Sequence, residues 1–321
     1  VIKGEGRLGF ISQCTGNINI KNLTFENPIV EGTASFIGVV IGYQYGVATL
    51  NNVDVHGGVV STNIANKGIR IGGLIGFSAP DSGGFNLEGC DVSETEIRGY
   101  HNVGGLVGTA LAQDKSFMSD CSVTKCKFYF SGTYEEPDEN GNCGYHVYDS
   151  QAYEEGYSVK TNCTESGNQA FYVKISSEDA EYGESDKVVY VNNPENLQKV
   201  LLNQHTHTIM LGAGEFIADI YSQTKERESL TIIGSEGTKV SFANQQVRME
   251  LFTNFKIENC EIMHMATKSW GHIVFSSSNN ANGVYTIENC TFNGVGTQGI
   301  YINETASGAT YNILNCTFNG D

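Results

Sequence analysis

Three stretches near the end of the chain decide the fold: FKIENCEIMH at residues 255–264, YTIENCTFNG at 285–294 and YNILNCTFNG at 311–320. Each stretch alternates apolar and polar residues over a few positions, which is the pattern of a half-buried β-strand. The stretches align position by position at steps of 30 and 26 residues. Recurrence of one strand pattern at this spacing predicts coils that stack and pair their strands in parallel.

The aligned positions predict how such coils fit together. Isoleucine recurs at Ile257, Ile287 and Ile313, and we expect these side chains to form an aliphatic stack. Asparagine recurs two residues later, at a turn where its tolerance of left-handed backbone geometry is useful. We expect the side-chain amides of Asn259, Asn289 and Asn315 to hydrogen-bond along the stack. The cysteine that follows, at positions 260, 290 and 316, should point inward.

A second repeat occupies the first third of the chain. Glycine-punctuated blocks recur as GVVIG at Gly38–Gly42, GGLIG at Gly72–Gly76 and GGLVG at Gly104–Gly108. Between them lie strand-like blocks with equivalent anchor positions, which are Leu23, Val53, Cys90 and Cys121. The two repeats predict an all-β chain with two coiled segments.

The segments are predicted as residues 1–132 and 187–321, separated by an acidic, tyrosine-rich last coil or linker at 133–186. The later segment opens with helix signals, because Asn193 can cap a helix whose first residue is Pro194. Leu197, Val200 and Leu201 follow at helical spacing. A short helix here would cover the apolar end of a stack of coils.

Composition excludes several classes of partner. A formal net charge of -17 and a pI near 4.8 argue against nucleic acid and anionic membrane, which require a basic face. No run approaches the ~18 apolar residues of a membrane-spanning helix. Nine cysteines are an odd number; burial between coils favours free thiols, whereas the ~4.8 Å spacing of neighbouring strands also permits disulfides.

The glycine blocks resemble the GLUG repeat of surface-exposed bacterial proteins over roughly residues 30–130, with Ile37 where a leading glycine would stand. The later segment, with its helix, LTIIGSEGTKVSF from Leu230 and the IENC and ILNC coils, resembles a pectin-lyase-like right-handed parallel β-helix. Together these resemblances imply a right-handed parallel β-helix in two segments with one short capping helix. They also imply an adhesin-like protein at the cell surface or outside the cell. A chain that begins at Val1 suggests a trimmed piece of a longer exported precursor, whose signal peptide or anchor lies outside this sequence.

A search for catalytic residues finds no complete constellation, so we predict that the chain is not an enzyme. A lyase or hydrolase on this fold needs converging carboxylates and a base. Glu258 and Glu288 share a repeat position and should form an outward pair on a solvated face. His272, with His264 and Lys268, is the nearest approach to a catalytic cluster.

The function predicted from sequence is an extracellular binding or adhesion scaffold that contacts a polysaccharide or a host surface protein. A polysaccharide lyase or hydrolase and a passive spacer are the alternatives. Aromatic side chains suit the apolar faces of sugars. The candidate contact residues are Tyr145, Tyr148, Tyr153, Tyr157, Trp270 and His272.

Calcium is the one cofactor that the sequence leaves open. DENGNCGYHVYD, from Asp138, loosely resembles a calcium loop, although Cys143 stands where that loop has its glycine. The candidate ligands are Asp138, Asn140, Asn142 and Asp149.

Overall fold

The computed structural model describes most of the chain. The described ranges are 1–33, 35–62, 70–79, 82–100, 102–110, 116–131, 145–146, 159–223, 226–248, 251–265, 271–276, 282–293, 299–303 and 308–319, with only the backbone described at 145–146, 276 and 303. Over these ranges the fold is all-β, with parallel strand pairing and one α-helix. The chain divides into two compact units, Val1–Tyr172 and Val173–Asp321.

The first unit is built from four parallel sheets that the chain visits in turn. Sheet 1 contains Ile2–Gly4, Ile29–Gly32, Val59–Thr62, Glu96–Gly99, Lys127–Phe130 and the start of Gln169–Ile175, the strand in which the boundary between the units falls. Sheet 2 contains Arg7–Leu8, Phe36–Gly38, Arg70–Gly72, Val103–Gly104 and Tyr145–His146. Sheet 3 contains Ile11–Cys14, Ile41–Gln44, Ile75–Ser78 and Val107–Ala110. Sheet 4 contains Ile18–Glu26, Ala48–His56, Phe85–Glu88, Asp91–Ser93, Phe117–Ser119, Ser122–Thr124, Val159–Thr161 and Thr164–Ser166.

Within each sheet of the first unit, a strand pairs with the equivalent strand of the next circuit, up to the last strand of the sheet. Ile37 pairs with Ile71 in sheet 2, and Ile41 pairs with Ile75 in sheet 3. The predicted equivalence of the glycine blocks is therefore confirmed. The fold is solenoid-like, because each circuit buries its apolar side chains only by stacking on the next.

The glycines of the repeat are required by close backbone contact between sheets 2 and 3. A Cβ atom added at Gly76 would lie 2.6 Å from the oxygen of Gly42 and 2.6 Å from the nitrogen of Ile37. At Gly38 it would lie 2.5 Å from the oxygen of Ile41. Real Cβ atoms do not approach backbone this closely, so the two sheets can meet only where the repeat has no side chain.

The second unit has three parallel sheets. Sheet 5 contains Val188–Val191, Thr208–Leu211, Arg227–Gly234, Phe252–Glu258, Val284–Glu288 and Thr310–Leu314. Sheet 6 contains Gly214–Ala218, Thr238–Phe242, Glu261–Met263, Thr291–Asn293 and Thr317–Asn319. Sheet 7 contains Gln246–Arg248, Ile273–Ser276 and Ile300–Asn303, and a 3-10 turn at Ala243–Gln245 precedes it. Ile257, Ile287 and Ile313 stand in register, as the sequence predicts.

Large aromatic side chains fill the interior of the second unit. Phe252, Phe255, Phe275, Tyr285 and Phe292 are each 1–2% exposed. The rings of Phe252, Phe255, Phe275 and Tyr285 contact one another in tilted and edge-on pairs, for example Phe252 with Phe255 at 5.7 Å between centroids. The interior of this unit is therefore wide enough to hold rings, and burial of these side chains stabilises it.

The α-helix of the second unit, Pro194–Leu202, begins where the sequence predicts it. The side chain of Asn193 accepts a hydrogen bond from the backbone N–H of Glu195 at 3.1 Å, and Pro194 is the first helical residue. Leu197, Val200 and Leu201 are fully buried. Burial of one face, together with the cap, explains why nine residues suffice for a stable helix.

The asparagine turns are confirmed in their backbone and corrected in their side chains. Asn259, Asn289 and Asn315 have φ values of 57°, 51° and 52°, the left-handed geometry that the sequence predicts. Their side-chain amides form no hydrogen-bonded ladder. Backbone groups link the turns instead, since the N–H of Asn259 donates to the oxygen of Glu288 at 3.1 Å. An amide pair of the expected kind does occur in the first unit, where Asn52 Nδ2 donates to Asn22 Oδ1 at 3.1 Å.

Within the described part of the chain, no helix has the length and apolar character needed to cross a membrane.

Candidate functional site

Among the described residues of the first unit, one surface cluster combines arginine with aromatic rings. Arg7, Phe36 and Arg70 occupy equivalent positions on successive strands of sheet 2. Tyr43 and Phe77 occupy equivalent positions on successive strands of sheet 3. These five residues are called the arginine–aromatic patch.

The side chains of the patch interleave. The guanidinium carbon of Arg7 lies 4.0 Å from the ring centroid of Tyr43, and that of Arg70 lies 4.5 Å from the centroid of Phe77. Phe36 stacks on Phe77 with centroids 5.1 Å apart and meets Tyr43 edge-on at 5.2 Å. Each contact of this kind contributes about 0.5–1 kcal/mol at an exposed position.

Local sequence explains how the patch assembles. The close contact at the glycine blocks brings sheets 2 and 3 together, so side chains just outside each block meet across the bend. Phe36 stands two residues before Gly38, and Tyr43 directly follows Gly42. The stretches RLGF, FIGV and RIGG, at positions 7, 36 and 70, share the signal of an arginine or aromatic residue two positions before the glycine. That signal is present in the sequence, but the sequence alone does not show that these positions meet Tyr43 and Phe77.

The patch is accessible to solvent. Arg7, Phe36, Tyr43 and Arg70 are half-buried, whereas Phe77 is 6% exposed and supports the others from below. Arg7 donates a hydrogen bond to the side-chain oxygen of Gln13, and no described carboxylate lies within ion-pair distance of it. The partly exposed rings of Phe36 and Tyr43 and the guanidinium of Arg7 can contact the C–H faces and the oxygen atoms of a ligand.

Most of the contact residues predicted from sequence lie outside the described residues. Tyr148, Tyr153, Tyr157 and Trp270 fall there, and of Tyr145 only the backbone is described, paired with Val103. The four proposed calcium ligands, Asp138, Asn140, Asn142 and Asp149, fall outside as well. These assignments stay predictions. Within the described ranges, no group of three or more histidine, cysteine or acidic side chains is placed to hold a metal ion.

His272 is described, and its position argues against direct ligand contact. The side chain is 4% exposed, and Nε2 lies 3.0 Å from the backbone oxygen of Asn293. The ring packs edge-on against Phe292 and against His264, with centroids at 5.7 and 5.2 Å. A histidine buried in this way packs against neighbouring side chains and leaves little surface for a ligand to contact.

The paired glutamates of the second unit form an ion network with lysine. Glu258 and Glu288 stand in register on neighbouring strands, and Lys256 Nζ lies 2.5 Å from one and 2.8 Å from the other. Burial opposes protonation of Lys256, but hydrogen bonds to the two carboxylates outweigh it and raise the pKa of the ammonium group. Both carboxylates are thereby paired with one cation, which is unlike an acid–base pair that flanks a scissile bond.

Comparison of the chain with protein-family models, with curated proteins and with solved structures finds no match. The resemblances to GLUG repeats and to pectin-lyase-like helices therefore rest on the motifs quoted above.

Proposed function

We propose that the chain is an extracellular binding scaffold, displayed on a bacterial surface, that contacts a glycan. The observation that carries this proposal is the arginine–aromatic patch, because its partly exposed rings and the Arg7 guanidinium combine the two kinds of contact that a sugar offers. A polysaccharide is the proposed partner. A host surface protein is the alternative ligand if no glycan binds.

The proposed architecture is a right-handed parallel β-helix in both units. Parallel pairing between equivalent positions of successive circuits supports it, as at Ile37–Ile71 and Ile257–Ile287. Connections between parallel strands of one sheet are right-handed in nearly all proteins, which favours that hand here. A rigid stack of this kind would hold side chains of successive coils at a fixed spacing, which suits a ligand that is itself a polymer.

Binding without catalysis agrees with the chemistry of the described acidic residues. The Glu258–Glu288 pair is held by Lys256, and the burial of His272 leaves it poorly placed as a base. Turnover of a uronate-containing polysaccharide, with or without Ca²⁺, would support the lyase or hydrolase alternative instead.

A screen for retention on immobilised polysaccharides tests the proposal. We expect the wild-type chain to be retained on at least one of them. The double variant Arg7→Gln, Tyr43→Ala should lose retention, because it removes one guanidinium and one ring from the patch. The buried Phe77 stays in place in this variant. Tyr45→Ala is the matched control, since Tyr45 is 45% exposed, lies two residues from Tyr43 and is outside the patch. Absence of retention by wild type, or equal retention by the double variant, would contradict the proposal.

The tyrosine-rich stretch gives a separate prediction on the same screen. If it forms a second contact region, Tyr148→Ala with Tyr153→Ala should abolish retention without lowering the melting temperature. Unchanged retention would remove that stretch from the binding surface.

A further inference from the structure

Three cysteines of the first unit form a column across neighbouring coils. Cys90, Cys121 and Cys163 each directly precede a strand of sheet 4, and the residues that follow them, Asp91, Ser122 and Thr164, pair in register. Neighbouring parallel strands are about 4.8 Å apart. That spacing falls inside the ~4.4–6.8 Å range of Cα separations that a disulfide spans.

The thiols of the column share one orientation. Each donates a hydrogen bond to the backbone oxygen two residues before it: Cys90 to Glu88 at 3.5 Å, Cys121 to Ser119 at 3.3 Å and Cys163 to Thr161 at 3.6 Å. Backbone hydrogen bonds fix the same three turns: the N–H of Ser122 donates to the oxygen of Cys90 at 3.0 Å, and that of Thr164 to the oxygen of Cys121 at 2.9 Å. Because the three turns are in register and the three thiols point the same way, the sulfur of Cys121 is stacked between those of Cys90 and Cys163 at the spacing of neighbouring strands.

Solvent reaches only one end of the column. Cys90 is fully buried and Cys121 is 1% exposed, whereas Cys163 is half-buried. A small oxidant therefore has access to Cys163 first. All three are free thiols in this structure.

We propose that Cys90, Cys121 and Cys163 form a disulfide relay, in which oxidation begins at Cys163 and is passed to the buried Cys90–Cys121 pair. The co-reactant is a low-molecular-weight disulfide such as oxidised glutathione. Thiol–disulfide exchange requires the attacking sulfur to approach a sulfur of an existing disulfide through a mixed-disulfide intermediate. In the column, Cys121 can approach a disulfide at Cys163, and Cys90 can then approach a disulfide at Cys121.

The relay has three balanced steps. The Cys163 thiolate attacks oxidised glutathione, forming a Cys163–glutathione mixed disulfide and releasing one reduced glutathione. Cys121 then attacks the sulfur of Cys163, which forms the Cys121–Cys163 disulfide and releases the second glutathione. Cys90 attacks the sulfur of Cys121, forming the Cys90–Cys121 disulfide and returning Cys163 to a thiol. Two protein thiols are oxidised, and one glutathione disulfide accepts the two electrons.

The exchange should be slow at neutral pH and faster at alkaline pH. Burial raises the pKa of Cys163, and the neighbouring Cys90 thiol together with burial raises the pKa of Cys121. Because the thiolate is the nucleophile, its fraction rises about tenfold per pH unit below the thiol pKa.

Cys126 provides an internal control. It is fully buried and directly precedes a strand of sheet 1, where the equivalent positions of the neighbouring coils are Thr95 and Asn168, as the register of Glu96, Lys127 and Gln169 shows. No relay to Cys126 is expected.

Incubation of the folded chain with oxidised glutathione, followed by alkylation and non-reducing peptide mapping, tests the relay. We expect the Cys163 adduct first, the Cys121–Cys163 link second and the Cys90–Cys121 link third, with Cys126 alkylated only after unfolding. A persistent Cys163 adduct without a link to Cys121, a link from Cys163 to any other cysteine, or no modification at pH 9 would overturn the proposal.

Cys163→Ser separates a relay from direct oxidation of the buried pair. The Cys90–Cys121 link should form at least tenfold more slowly in this variant, with the melting temperature measured to establish that it folds. An unchanged rate in the folded variant would overturn the relay. If the variant does not fold, the order of products in the wild-type time course decides.

Discussion

The two units use the same parallel pairing but fill their interiors in opposite ways. In the first unit, glycines let the backbones of sheets 2 and 3 touch, and the core is made mainly of aliphatic side chains such as Ile37, Ile41 and Val60. In the second, buried rings such as Phe255 and Phe275 fill a wider space. The packing of the first unit therefore requires glycine at fixed positions, whereas the packing of the second unit requires large aromatic side chains in its interior.

The same difference explains where side chains are available for binding. Because the first unit is narrow at its glycine blocks, aromatic and arginine side chains beside each block lie on the outside and form the arginine–aromatic patch. Most aromatic side chains described in the second unit are inside. This contrast is the main reason for placing the proposed glycan contact in the first unit.

The largest effect is expected from emptying the wide core. Phe255→Ala should lower the free energy of unfolding by about 4 kcal/mol, because the rings around it cannot collapse into the space. Phe318→Ala, whose side chain is 52% exposed and stacks on Phe292, should cost only about 1 kcal/mol. Chemical denaturation measures both. Equal losses would mean that the second unit does not depend on its interior rings.

The next largest effect is expected from adding one methyl group to the narrow unit. Gly76→Ala should cost about 3 kcal/mol, since the new Cβ would overlap the backbones of Gly42 and Ile37. Gly16→Ala is the matched control, because a Cβ there meets no atom within 4 Å; we expect a change of at most about 0.5 kcal/mol. If Gly76→Ala left the free energy of unfolding unchanged, the first unit would not require glycine at this position, which would contradict the proposed difference between the units.

Asparagine turns allow a finer comparison. Asn259→Ala should cost about 1 kcal/mol, the strain of a left-handed backbone in a residue with a Cβ. Asn52→Ala should cost about 2 kcal/mol, because it also removes the hydrogen bond to Asn22. The corresponding glycine variants remove the strain, so Asn259→Gly should be near neutral while Asn52→Gly keeps the loss of the hydrogen bond. Equal losses in the free energy of unfolding for Asn259→Ala and Asn52→Ala would show that the Asn52–Asn22 hydrogen bond does not stabilise the fold.

The smallest effect is expected from the ion network, and it depends on pH. Lys256→Met should cost about 1 kcal/mol or less near pH 7, because the lysine is partly exposed and its carboxylate partners lose their cation. The folded-state pKa of Lys256 is raised, so its contribution is complete below the unfolded-state value and is lost as pH rises through the folded-state value. The difference in the free energy of unfolding between wild type and Lys256→Met should therefore shrink above about pH 10.5. A difference that grows with alkaline pH would contradict the network.

Repetition made much of the fold predictable from sequence. Ile257, Ile287 and Ile313 share a register because one strand pattern recurs, and the glycine blocks align for the same reason. The helix at Pro194 was predictable because its cap and its buried face are local signals.

Side-chain partners were harder to predict than backbone geometry. The asparagine signal identified left-handed turns at Asn259 and Asn289 correctly, but it did not reveal that backbone groups would link them. The sequence pointed to His272 as a contact residue because it lies close to the single tryptophan of the chain. Its burial depends on packing against Phe292, which is 20 residues away and is not visible in a local stretch of sequence.

The arginine–aromatic patch illustrates the same limit for function. Its residues come from three circuits of the chain, and equivalent positions carry different side chains, arginine at 7 and 70 and phenylalanine at 36. Sequence repeats align these positions, but only the spatial contact of sheets 2 and 3 shows that Tyr43 and Phe77 complete the cluster.

The most direct test of the proposed function is the dissociation constant of the retained polysaccharide, measured by titration calorimetry for wild type, Tyr43→Ala and Tyr45→Ala. Loss of one ring contact of about 1 kcal/mol corresponds to a weakening of roughly fivefold. We therefore expect Tyr43→Ala to raise the dissociation constant about fivefold or more and Tyr45→Ala to leave it unchanged. Equal constants for all three proteins would contradict binding at the arginine–aromatic patch.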